Sequence, residues 1–178
     1  MNNPYIRTFT GKKFYPLNPR PQDICIEDIA HSLSQICRFT GHTKFPYWVG
    51  QHCCYAFDLA SKENKLEALG HDFSETYFSD VASPIKPLLK NYKEIEENLE
   101  RCIARKFKFR FPYPLEVKDP MTKFDIDTRL LHTEMKQLMN GCSYDENMCY
   151  DFKIKYWSPQ KTEKELLKRF YSLTNNKN

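Results

Sequence analysis

His71 and Asp72 are neighbours in the chain, with Glu75 three positions on, Gln51-His52 upstream and Asp127 far downstream. Two imidazoles and two carboxylates form a complete ligand set for a divalent cation. Mixed nitrogen and oxygen donors suit Mn, Co, Ni or Zn better than Ca. Glu75 is then a carboxylate left over to carry protons. Such a set performs hydrolysis by activated water, and the combination predicts a metal-dependent phosphohydrolase. Asp127 falls in the polar gap of an apolar helical repeat, and an aspartate there is seldom buried without a partner or an ion.

The spacing says how these groups can meet. His71 and Glu75 are four apart and Asp72 and Glu75 three apart, so one helix surface carries them on adjacent turns. His52 is expected on the preceding helix. An antiparallel helix pair joined near Ser61-Lys62 would bring it against His71. Taken singly, each residue reads more readily as an ordinary core or surface side chain; the joint pattern points to a site.

The elements that must position them are mostly helical. Residues 5–15 alternate aromatic and β-branched residues around Gly11 and predict a short β-hairpin. Ile26, Ile29, Ala30, Leu33 and Ile36 repeat at helical spacing, with an end expected near Arg38. A second helix is expected from about Trp48 to Ala60, and a third from about Glu63 through Asp72 to Phe78. Ser83-Pro84 is a helix start, followed by Asn91 to Lys108 and stopped by Phe111-Pro-Tyr-Pro114. A further helix is expected from Pro120 to Met139, with Phe124, Leu130, Leu131, Met135 and Leu138 inward. Ser158-Pro159 caps a last amphipathic helix to about Leu173, and Lys177 and Asn178 are expected to fray. The fold class is all-α: one domain over residues 1–178, with its core at about 22–139, a C-terminal helix at about 159–173 and a small N-terminal hairpin. No strand–helix alternation or glycine-rich phosphate loop supports a Rossmann or P-loop sheet.

The bulk composition narrows the classes. With 178 residues there is length for one well-buried core. The balance of 27 basic against 23 acidic residues gives +4, far from that of a nucleic-acid-binding domain. No secretory pattern opens the chain, and no apolar run approaches the ~18 residues of a membrane span. The seven cysteines contain no C-x-x-C pair and read as thiols of a reducing cytosol, without disulfide or zinc knuckle. A cytoplasmic protein is expected.

The pattern His52 … His71-Asp72 … Asp127 resembles the HD-domain metal-dependent phosphohydrolases. Further segments extend the likeness: Ile26-Glu-Asp-Ile-Ala-His31, Cys37-Arg-Phe-Thr-Gly-His-Thr43, Val49-Gly-Gln-His52, Leu69-Gly-His-Asp-Phe-Ser-Glu75, Asp80-Val-Ala-Ser-Pro-Ile-Lys86 and Asp127-Thr-Arg-Leu-Leu-His-Thr-Glu134. They resemble the compact bacterial and phage branch, similar to the helical 5′-deoxynucleotidases and the phage dATP triphosphohydrolases, over about residues 5–139. The resemblance implies an HD-type helical bundle and a cation (Mn, Co, Zn, Ni or Mg) held by His52, His71, Asp72 and Asp127. It implies Glu75, beside Asp72, as the acid/base, Arg38 as the grip on a phosphate, and Asp80 and Lys86 on the substrate side. It further implies a nucleotide substrate and a homo-oligomer. Gly50 and Gly70 depart from the bulkier apolar residues usual in that branch, and Phe45-Pro46 alters the loop before His52.

Several residues carry two readings. Phe39, Tyr47 and Trp48 flank the region, where one can stack on a nucleobase or all can pack in the core. His42 either touches substrate or orders His52, or else caps its loop. His31 and His132 read as structural or as supports for the ligands. The basic, Phe-interleaved segment from Arg101 to Phe111 is either a nucleic-acid surface or a solvated helix end with alternate aromatics buried. Glu94, Glu96, Glu97 and Glu100 on the same helix weigh against a polyanion partner. The alternative to an enzyme is an inactive HD module that binds a nucleotide or a protein partner.

Overall fold

The structure, a computed structural model, describes residues 4–111 and 125–174. Among the described residues the chain is mainly helical, with one small two-stranded antiparallel sheet. That sheet is the expected hairpin: β1 (Ile6–Arg7) pairs with β2 (Lys13–Phe14), and Gly11 closes the turn at φ +83°, a conformation glycine adopts without penalty. Phe14 is fully buried. Asp28 fastens the hairpin to the first helix by accepting the Thr10 backbone N–H at 2.7 Å and the Thr10 hydroxyl at 3.0 Å.

The first helix, α1 (Ile26–Leu33), buries Ile26, Ile29, Ala30 and Leu33. It ends five residues short of Arg38, where the sequence predicted its end. Instead Cys37 bridges Trp48 antiparallel, and the Arg38 and Val49 N–H groups donate to the Tyr47 and Ile36 carbonyls. This short ladder competes with a further helical turn, and it sets Arg38 at the mouth of a loop instead of on a helix.

The second helix, α2 (Val49–Leu59), is close to the predicted span and buries most of its residues. It is the central element, packed by α3 (Lys65–Gly70), α6 (Ile126–Leu138) and α7 (Pro159–Thr174). A side chain at Gly50 would begin 3.0 Å from Thr162 Cγ2 and 3.1 Å from the Leu33 carbonyl oxygen. Glycine there lets the end of α1 and α7 close on α2, which explains the departure from a bulkier residue.

The predicted third helix is divided. After α3 the chain turns tightly through 71–74 and resumes as α4 (Glu75–Phe78). The N–H groups of Phe73, Glu75, Thr76 and Tyr77 each bond three residues back, to Gly70, Asp72, Phe73 and Ser74. Three residues per turn stack positions i and i+3 over one another, so Glu75 sits over Asp72 more squarely than an α-helix allows. Gly70 permits the turn to seat, because a Cβ there would fall 2.2 Å from Phe109 Cε2.

Ser83-Pro84 does not open the next long helix. A single 3₁₀ turn forms at Lys86–Leu88, Asn91 adopts a left-handed conformation (φ +62°), and α5 (Tyr92–Phe107) starts after it. The predicted stop at Pro112, Tyr113 and Pro114, the start from Pro120 to Phe124 and the frayed Lys177 and Asn178 lie outside the described residues. Asp125 is extended and its side chain accepts the Thr128 N–H at 2.7 Å, a cap that begins α6 at Ile126. The buried stripe of α6 is Ile126, Leu130, Thr133, Glu134 and Leu138, so Leu131 and Met135 are half-buried where they were expected inside. At the other end, Ser158 caps α7 by accepting the Lys161 N–H.

The main core gathers Ile29, Leu33, Cys53, Leu69, Phe73, Ile103 and Leu166, and a second cluster of Ala56, Ala60, Ala68, Ile126 and Leu130 seats α6 on α2 and α3. All seven cysteines are free thiols. Among the described residues no helix is long and apolar enough to cross a membrane.

Candidate metal centre

Three elements deliver the donors. His52 is the fourth residue of α2 and has no exposed surface; His71 and Asp72 lie on the tight turn after α3; Asp127 lies in the first turn of α6. His52 Nε2 stands 3.1 Å from His71 Nε2, 3.7 Å from Asp72 Oδ2 and 3.0 Å from Asp127 Oδ1. His71 Nε2 stands 3.3 Å from Asp72 Oδ2 and 3.9 Å from Asp127 Oδ1. His52, His71 and Asp72 present ligand atoms all within 4.8 Å of one another and can hold a metal ion. Asp127 approaches both imidazoles from the solvent side, its side chain 58% exposed.

The other ring nitrogens decide what these atoms can bind. His71 Nδ1 lies 2.8 Å from the Ala68 carbonyl, which only accepts, so Nδ1 carries hydrogen there. His52 Nδ1 donates to Glu134 Oε1 at 2.6 Å. Both Nε2 lone pairs therefore face the same space as two carboxylate oxygens, an arrangement that repels itself unless positive charge lies among them. Imidazoles oriented by a carboxylate and a backbone carbonyl are typical of metal-bound histidine, and the set fits a divalent transition ion. The same convergence raises proton affinity. Burial opposes charge on His71, but the Asp72 carboxylate beside it outweighs burial and pushes the imidazole up to about 10. Burial likewise disfavours ionised Asp72 and Asp127, yet His71 and His52 respectively hold them below the usual carboxylate range.

Behind the donors lies a residue to which the sequence reading gave no role. Glu134 is fully buried and accepts from His52 Nδ1, from the Tyr47 hydroxyl at 2.8 Å and from Arg38 Nε at 3.2 Å. Arg38 Nη1 reaches Asp72 Oδ2 at 3.3 Å. A glutamate four residues from both Leu130 and Leu138 was the available signal, because that spacing puts Glu134 within the predicted apolar face. Tyr47 is corrected by the same contact. Its ring has no exposed surface and its hydroxyl is committed to Glu134, so it does not lie open to a substrate. Trp48 donates its indole N–H to the Trp157 carbonyl at 2.8 Å.

Glu75 is 7% exposed, and its Oε2 is buried without a hydrogen-bond partner among the described residues. Burial, then the charges of Asp72 and Asp80, raise its carboxyl to about 9. Asp80 is half-buried, and burial raises it too. Lys86 pairs with Glu96 at 3.1 Å, which also accepts the Tyr92 hydroxyl at 3.1 Å. Phe39 is half-buried with the Arg38 guanidinium 5.7 Å from its ring centre, and His42 is exposed. Phe39, Thr40 and Gly41 take positive φ in succession (+53°, +49° and +80°). That conformation is costly for Phe and for β-branched Thr, and such strain concentrates at functional loops. His31 stacks on Phe9, and His132 Nδ1 accepts the Asp145 N–H.

No protein-family model matches the chain. It is similar to the uncharacterized protein YfdR of Escherichia coli (strain K12), with 45% identity over 103 residues that make up 58% of this chain and 58% of that relative. It is also similar to an uncharacterized protein of Rhodobacter capsulatus, with 29% identity over 144 residues, 75% of this chain and 74% of the relative. The match to the first spans little more than half of that relative's length, and neither name states an activity.

Proposed function

We propose that the chain is a metal-dependent phosphohydrolase of the HD-domain kind that cleaves deoxynucleotides, as a 5′-deoxynucleotidase or a dATP-type triphosphohydrolase. The observation that carries this reading is the convergence of two imidazole Nε2 atoms 3.1 Å apart with both Nδ1 atoms already engaged. His52, His71, Asp72 and Asp127 would hold the ion, with Mn, Co, Ni, Zn or Mg as candidates. When bound, such a cation supplies Lewis-acid polarisation and lowers the pKa of water.

The chain's own groups do the rest. Glu134 and the Ala68 carbonyl hold the two imidazoles in the orientation that presents Nε2. Glu75 keeps its proton at neutral pH because burial and two nearby carboxylates disfavour its charge, so it can give that proton to the leaving oxygen as a general acid. Arg38, 13% exposed and turned to the centre through Asp72, offers its remaining N–H groups to phosphoryl oxygens. Lys86 adds positive charge on the same side while Glu96 fixes its position. Phe39, stacked by Arg38, is the aromatic left available to a nucleobase.

A panel of deoxynucleoside mono- to triphosphates with each metal tests the reading. Orthophosphate from dAMP identifies a nucleotidase, and tripolyphosphate from dATP a triphosphohydrolase. Asp72→Ala abolishes either. Nucleotide binding without turnover under any metal would overturn the enzyme reading in favour of an inactive binding module.

A further inference from the structure

The net charge of +4 is gathered at one end of the chain. Four of the 27 basic residues and none of the 23 acidic ones fall in the first 22 positions, so the remainder is electrically balanced. Arg20 is paired with Asp23 at 2.6 Å. Arg7, Lys12 and Lys13, all exposed on the hairpin, make no ion pair among the described residues. Of the α1 carboxylates, Asp28 is buried and taken up by Thr10 and Cys25, and Glu27 accepts the Tyr171 hydroxyl.

The hairpin register sets two of these cations face to face. Arg7 is the cross-strand partner of Lys13, and like charges directly opposite one another destabilise a pair of strands. Tyr5 gathers them, its ring centre 5.6 Å from the Arg7 guanidinium carbon and 4.7 Å from Lys13 Nζ. An aromatic ring holds cations in place without neutralising them. The hairpin therefore keeps a concentrated positive charge that an anion from outside would offset.

Beside the cations stands an aromatic platform. Phe9 stacks on His31, ring centres 3.6 Å apart at 11°, yet is 62% exposed. Both nitrogens of His31 are engaged, Nδ1 with Glu163 and Nε2 with Gln35, which fixes the imidazole beneath Phe9. So held, the ring presents a face and not a projecting edge, which favours stacking on a base over insertion into a lipid surface. An open cavity of about 420 Å³ beside it, lined also by Arg7, Thr8 and Gln35, leaves room for that base.

We propose that the N-terminal hairpin is a docking surface for single-stranded nucleic acid, with phosphates on Arg7, Lys12 and Lys13 and one base stacked on Phe9. Bases along a duplex are already paired and stacked and cannot offer Phe9 a face, which commits the proposal to a single strand. None of these residues belongs to the metal centre, and the surface stands whether or not that centre cleaves nucleotides.

Fluorescence anisotropy of a labelled oligothymidylate of about ten nucleotides, titrated with the full chain in EDTA, tests this. Saturable binding is expected. Raising salt about fourfold should weaken it about 20-fold, the response of about three phosphate contacts on a single strand. Arg7→Ala/Lys13→Ala should cut that salt effect to about threefold. Phe9→Ala should lose about tenfold in affinity while Phe9→Trp keeps it, each with unchanged helical circular dichroism. A duplex of the same length should bind more weakly. No saturable binding, a salt effect untouched by the double substitution, equal affinity in Phe9→Ala, or tighter binding of the duplex would each overturn the proposal. So would tighter binding to phosphatidylserine vesicles through the same residues, which would make the hairpin a membrane contact instead.

Discussion

His52 donates through Nδ1 to Glu134 Oε1 at 2.6 Å, while Arg38 donates through Nε to Glu134 Oε2 at 3.2 Å. One buried carboxylate therefore aims an imidazole at the candidate cation and a guanidinium at the space beside it. Substituting Glu134→Gln keeps an acceptor for His52 but leaves Arg38 with Asp72 as its remaining carboxylate partner. Cation affinity should fall by about 10–100-fold, and breaking the buried pair should cost about 3 kcal/mol of stability. Calorimetric titration with Mn and denaturant melts read the two effects separately. Affinity unchanged in a folded variant would show that the His52 orientation does not depend on Glu134.

Only the folded chain brings these donors together, so cation binding stabilises it, in competition with the proton that Asp72 favours on His71. At a free metal concentration about 100-fold above Kd, the native state should gain about 2.7 kcal/mol. For a chain of this length that corresponds to a rise of roughly 5–10 °C in Tm. EDTA should reverse it. Asp72→Ala should remove the rise, whereas Asp127→Ala, on the solvent side with its side chain 58% exposed, should reduce it. A rise that survives Asp72→Ala would place the ion elsewhere.

What could be read from the sequence, and what could not, follows from the range of the forces involved. His71, Asp72 and Glu75 share a short segment and His52 lies one helix away, so nearness in the chain was enough to bring them together, although the single helix expected to carry the first three is divided. The hairpin, α2 and the Ser158 cap were legible for the same reason. The division of the third helix was not, because the three-back bonds of the 71–74 turn leave no mark in the periodicity, and the Phe109 ring that meets Gly70 comes from a distant segment. Nor was the early end of α1, where the pairing of Cys37 with Trp48 displaced helical bonds. Glu134 lies on the predicted apolar face, but a wholly buried glutamate makes sense only once Tyr47, His52 and Arg38 are known to surround it.

Glu75 provides a prediction with a definite pH sign. Its carboxyl ordinarily titrates near 4.5 and is raised to about 9 in the folded chain. Below pH 4.5 both folded and unfolded states hold the proton; between 4.5 and 9 only the folded state does, so its contribution to stability declines as pH rises across that window. Glu75→Gln removes the titration. In metal-free protein the variant should exceed the parent in Tm, by more at pH 8 than at pH 5. With metal and substrate, the same variant should bind the ion within about threefold of the parent and lose about 10²–10⁴ in turnover. Loss of the ion with an unchanged rate per bound metal would make Glu75 a ligand instead of a proton carrier.

Gly70 links packing to the centre. A Cβ at this position would lie 2.2 Å from Phe109 Cε2 and 2.5 Å from Cζ, and His71 and Asp72 follow directly in the chain. Gly70→Ala must therefore move the ring or the turn. Overpacking of this kind costs about 1–3 kcal/mol, and a displaced turn would weaken cation binding as well. The double variant Gly70→Ala/Phe109→Leu separates the causes: if the ring is the obstacle, Gly70→Ala should cost less in the Phe109→Leu background than alone, a coupling that a double-mutant cycle reads directly. Additive costs would mean that the glycine is required by the backbone of the 71–74 turn and not by the aromatic ring above it.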